Sequence, residues 1–105
     1  MEFDEFRQSA FYQSLADPIR VSYALWFLDP ELKGVTYSEI LEALAGDVDK
    51  QSLSVCLDVL VDRMELDFKL QSHDGLTVQT YNLFAWHYDG LKQGVELLDS
   101  RRSDQ

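Results

Sequence analysis

Basic residues are the scarce component of this sequence: nine Lys plus Arg stand against 19 Asp plus Glu, a formal net charge of −10 over 105 residues. Only four of the nine are lysines. Such a chain repels a polyanion at long range, because it has few cations with which to displace counterions from phosphates. Cysteine is scarcer still. The single Cys56 excludes an intramolecular disulfide framework and fits a reducing compartment, so the expected location is cytoplasmic. No apolar run approaches the roughly 20 residues that cross a bilayer, and no membrane association is expected. The opening Met1-Glu2-Phe3-Asp4-Glu5 is acidic and lacks the basic-then-apolar order of a signal peptide. There is no repeat, phosphate loop, dinucleotide fingerprint or nucleophile–base motif, so neither an enzyme nor a cofactor is expected.

What is present is enough for one core. Hydrophobic residues make up 46% and aromatics 12% of the chain, values that favour collapse over disorder. The expectation is a single domain over residues 1–99, with Ser100-Arg101-Arg102-Ser103-Asp104-Gln105 as a flexible tail.

Helical signals dominate the first 64 residues. Phe3, Phe6, Phe11 and Leu15 predict one helical face over 3–15. Asp17-Pro18 reads as an N-cap followed by proline at the first helical position, and Asp29-Pro30 as the stop, with a loop over 31–34. Thr36 with Glu39 has capping-box spacing, Gly46 ends that helix, and Asp49 caps another of about 49–64 after a very short turn. The period then changes. Leu66–Leu70 and Leu76–Tyr81 alternate around His73-Asp74-Gly75, which predicts a hairpin over 66–83. A last helix is expected from about Trp86 to Asp99, weakened by Gly90 and Gly94. This order is mainly α with a small β-hairpin: a winged helix-turn-helix with extra terminal helices.

Two stretches then resemble a known family. Leu15-Ala16-Asp17-Pro18-Ile19-Arg20 resembles the L-A-D-P-x-R opening of ArsR-like winged helix regulators, and Val48 to Leu60 resembles their recognition helix. The resemblance covers roughly residues 15–83. It implies a homodimeric, sequence-specific transcription regulator with one recognition helix per subunit in successive major grooves of double-stranded DNA. It also implies groove-facing Lys50, Gln51, Ser52, Ser54 and Val55, and backbone contacts from the wing through Lys69, Gln71, Ser72 and His73. Gln51 suits adenine, and Lys50 suits guanine or a phosphate. The sequence departs from the family in two ways. Val55, Cys56 and Asp58 stand where basic residues or histidine are common, and Asp47, Asp49, Asp58, Asp62 and Glu65 face only Lys50 and Arg63. The metal-sensing Cys and His patterns of some members are missing.

Two explanations accommodate the acidity. In a salt-rich cytoplasm, repulsion is screened within about 3 Å at molar salt. Alternatively, the fold serves as an acidic module that binds a protein partner and has lost DNA binding. A ligand-responsive antirepressor is a more distant third reading. For individual residues the plain roles are preferred. Cys56 is expected to be a buried structural thiol rather than a redox sensor. His87 should pack at a helix start, and Asp58 with Asp62 should form a solvated face. The aromatic set should line the core and a dimer seam. Phe3, Phe6 and Phe11 of the first helix, with Trp86, Leu91, Val95 and Leu98 of the last, are the expected dimerisation residues.

Overall fold

Ser9 decides the shape of the N-terminal segment. In a computed structural model, which describes residues 1–103, its hydroxyl accepts a hydrogen bond from the Tyr12 amide at 3.1 Å. That starts a new helix where one continuous helix over 3–15 was expected. The segment is therefore two short helices, α1 (Phe3–Arg7) and α2 (Ala10–Gln13). The bend between them brings Phe6 and Tyr12 together at 5.7 Å between ring centroids, both fully buried.

The central helix α3 (Asp17–Leu28) begins one residue earlier than expected. Ala16 is the N-cap, Asp17 is the first helical residue, and Pro18 comes next, where its missing N–H is harmless. Asp29 terminates α3 and organises the loop beyond it, since its carboxylate accepts from the amides of Lys33 and Gly34 at 2.8 Å each. This directs the chain into a short strand, β1 (Val35–Thr36), where only a loop and a cap were expected. Gly34 has φ +113° and lies so close to Thr80 that a Cβ would sit 3.0 Å from its hydroxyl oxygen. Glycine is required there on both counts.

The next elements obey their local signals. Helix α4 (Tyr37–Ala43) carries the full capping box, with Thr36 accepting from the Glu39 amide and Glu39 reaching back to the Thr36 amide. A tight turn through Gly46 leads to α5 (Lys50–Asp62), capped by Asp49. Strands β2 (Leu66–His73) and β3 (Leu76–Leu83) form the hairpin, with Asp74 and Gly75 both at positive φ. Two such residues match the right-handed twist of the flanking strands. Both β1 and β2 pair antiparallel with β3, in the order β1-β3-β2, so β2 is an edge strand.

Helix α6 (Ala85–Ser103) runs through Gly90 and Gly94 and continues past residue 100, where a frayed tail was expected; residues 104–105 lie outside the described part. It docks on α3 through Trp26, whose indole donates to the Tyr88 carbonyl at 3.1 Å while its ring stacks on that of Tyr88. Tyr23 adds a second tie, donating to the Leu91 carbonyl at 3.2 Å. The described residues thus form six helices and a three-stranded antiparallel sheet, compatible with a winged-helix layout. The core is one cluster reaching from Phe6 through Val21, Leu25, Leu53 and Leu57 to Leu83 and Val95.

Candidate nucleic-acid interface

The N-terminus of α5 is held from three sides. Asp49 accepts from the Ser52 amide at 2.8 Å, and this bond holds its carboxyl below the ordinary range. The Tyr37 hydroxyl of α4 donates to the Lys50 carbonyl at 3.0 Å. The third restraint comes from the far N-terminus and was not visible in the sequence. Arg7 and the Tyr12 hydroxyl both donate to one oxygen of Asp47 at 2.8 Å, and Arg7 also reaches the Ala45 carbonyl at 3.1 Å. Burial alone would raise the Asp47 pKa. The hydrogen bonds from Arg7 and Tyr12, with the charges of Arg7 and Arg20, outweigh it and hold the carboxyl below its usual value. The α4–α5 turn is thereby clamped to α1 and α2.

On α5, the residues expected to face a groove divide into two sets. Lys50, Gln51, Ser54 and Val55 are exposed, with Val55 at 57%. Ser52 is half-buried, and with Gln51 and Val55 it lines a shallow depression shared with Cys56 and with Asp17 and Pro18 at the start of α3. The exposed face continues one turn on into Asp58 and Asp62, which leaves Lys50 as the only cation of α5.

The hairpin does not present its expected contacts together. Strand alternation places Phe68 and Leu70 opposite Tyr81 and Gln79 on the side packed toward α5. Lys69 and Gln71 point to the other side. There Lys69 lies 3.9 Å from Asp67, and Gln71 donates to the Lys33 carbonyl at 3.4 Å. Ser72 is exposed near the tip, and the His73 side chain lies outside the described part. The α5-facing side of the hairpin is therefore aromatic and uncharged, and the expected Lys69 and Gln71 lie on its other face.

Three of the expected dimerisation residues belong to the core of the single chain. Phe6 is fully buried, and Leu91 and Val95 are nearly so, because α6 lies across α3 and the N-terminal helices. They cannot also form a seam in this conformation. Phe3 and Leu98 are half-buried, whereas Phe11 and Trp86 are exposed. Around Leu98, two shallow depressions lined by Met1, Gln8, Phe11 and Leu97 gather part of the remaining apolar surface of the terminal helices. Trp86 sits eleven residues from Leu97 on α6, about 16 Å along a helix axis, and belongs to a different patch.

Cys56 is buried as expected, and its thiol pKa is pushed up by burial and by Asp17, which suppresses the thiolate. His87 lies in the first turn of α6. Its Nε2 is 3.1 Å from the Ser22 hydroxyl and 3.4 Å from Glu65. Serine and acid meet the same ring nitrogen, so this cluster is not a Ser–His–acid relay, which needs one partner at each nitrogen. Burial lowers the His87 pKa despite the opposing pull of Glu65. Among the described residues, no group of three or more His, Cys, Asp or Glu could hold a metal ion, and no helix is long and apolar enough to cross a membrane. No protein-family model matches the chain, and no curated protein sequence matches it.

Proposed function

We propose that this chain is a winged helix transcription regulator that binds double-stranded DNA as a homodimer in the cytoplasm. In this reading α5 enters the major groove and the β2–β3 hairpin is the wing. The observation that carries it is the exposed polar front of α5, formed by Lys50, Gln51 and Ser54, on a helix start fixed by Asp49, Tyr37 and the Arg7–Asp47 clamp. A rigid helix start carrying bidentate side chains is what base readout needs. The seam is assigned to Phe11, Leu97 and Leu98, which line one depression at the surface of the terminal helices. Two recognition helices then address half-sites about one helical turn apart.

The acidic surface sets the conditions. With Lys50 as α5's only cation and Lys69 turned away from α5, few counterions are released on binding. Affinity therefore falls less steeply with salt than for a basic regulator, and the natural setting is a salt-rich cytoplasm. The test is selection of an operator at molar salt, followed by fluorescence anisotropy. Gln51→Ala is expected to weaken the preferred site by roughly 1–3 kcal/mol and to relax base preference at one position. Failure to select any operator at low or molar salt would end the DNA reading.

A further inference from the structure

Between α5 and the hairpin runs an open cleft of about 440 Å³, lined by Asp58, Val61 and Asp62 of α5 and by Phe68, Gln79 and Tyr81 of the strands. Its floor is an aromatic pair. Phe68 and Tyr81 meet at 5.6 Å between centroids and 60° between planes, and Phe68 is 39% exposed. Its rim is acidic. Asp58 and Asp62 lie one helical turn apart, both exposed, and no Lys, Arg or His among the described residues pairs with either. Asp58 is close enough to Tyr81 to reinforce the upward shift of its phenol caused by burial.

We propose that this cleft docks an extended, arginine-bearing segment of a partner protein. Charge complementarity selects a cation, since two unneutralised carboxylates border the cleft. The aromatic floor selects arginine over lysine, because a planar guanidinium stacks on rings while its edges meet carboxylates. Two features select a polypeptide over a small free cation. Leu70, the next residue on the same face of β2, is 67% exposed and offers apolar surface that a lone cation cannot use. The cleft also borders β2, whose outer side pairs with no other strand among the described residues and can accept main-chain hydrogen bonds from an added strand. The proposal does not depend on DNA binding, which uses the front of α5.

The test uses a fluorescent nine-residue peptide of alternating arginine and leucine, titrated by anisotropy in about 0.5 M salt, where long-range attraction to the −10 chain is screened. The wild type should bind, with amide shifts concentrated at Phe68, Leu70 and Tyr81. Asp58→Asn with Asp62→Asn should weaken binding about tenfold, as expected for removing close charge partners. Glu42→Gln with Glu96→Gln changes the net charge equally elsewhere and should leave binding within about twofold. Circular dichroism checks that each surface variant keeps its helix content. Several results would overturn the proposal: no binding, equal weakening by both pairs, equal affinity for a citrulline peptide, or equal affinity for spermidine. So would dilution shifts at Phe68 and Tyr81 without peptide, which would show a second copy of this chain in the cleft.

Discussion

The hydroxyl of Tyr23 occupies the space that a side chain on Gly94 would need, so α6 lies against α3 at a distance only glycine permits. Gly94→Ala is therefore expected to destabilise the fold by roughly 1–3 kcal/mol through overpacking, despite alanine's better helix propensity. Gly90 has open space around it, and Gly90→Ala should stabilise by about 0.5–1 kcal/mol. Urea denaturation measures both. Adding Tyr23→Phe to Gly94→Ala should recover part of the loss, and a stabilising Gly94→Ala would mean that the contact is not tight.

Stability should fall with pH in two steps. The folded state holds His87 below its ordinary 6.5, mainly through burial. Below pH 6.5 the unfolded chain therefore binds more protons than the folded one, and stability declines until the folded value is reached. His87→Gln should flatten this step. The second lies lower and has the acid's sign. Asp47 is held below its ordinary 3.8, so the stability it contributes is present above that value and is lost as pH falls through the folded one. Urea midpoints across a pH series locate both windows.

The clamp on the α4–α5 turn is open to a direct test. Asp47→Asn weakens two charge-assisted hydrogen bonds and should cost about 1–3 kcal/mol. Amide hydrogen exchange should quicken in residues 44–50 more than in the hairpin. Uniform quickening would assign Asp47 to global stability alone.

Leu97→Glu is expected to convert a dimer into folded monomers by light scattering. Leu97 is 58% exposed beside Phe11 and Leu98, so a glutamate there disturbs a seam and not the core. Persistence of the dimer would move the seam elsewhere, with Trp86 the next candidate.

Thermal stability should rise with salt, because a net charge of −10 makes the compact state self-repelling in dilute buffer. A melting temperature unchanged between low and molar salt would remove the salt-rich setting from the functional reading.

Where local chemistry dictates structure, the sequence is legible. Thr36 with Glu39, Asp49, and Asp74-Gly75 each carry their own geometry, and all three features are present where expected. Distant partners are not legible. Val35 becomes a strand only because Tyr81 lies beside it, and Arg7 finds Asp47 across 40 residues. Phe6, Leu91 and Val95 show why a hydrophobic stripe cannot by itself place an interface: its period says that something covers it, not whether the cover is the same chain or another. The hairpin is a different case. Alternation alone already puts Ser72 on the opposite face from Lys69 and Gln71, so the expected set of wing contacts conflicts with the strand period itself.

Tyr23 reaches across 68 residues to bond α6, and this has a consequence for biosynthesis. While the chain emerges from the ribosome, α1 to α3 are made before α6 and lack the surface that closes over Tyr23 and Trp26. Contacts of such sequence separation form only after the long intervening loop is drawn in. The nascent chain therefore carries Tyr23 and Trp26 without their α6 partners until α6 has been translated. Cutting the protein before residue 86 would leave it in that state, which is the state most exposed to chaperones and aggregation.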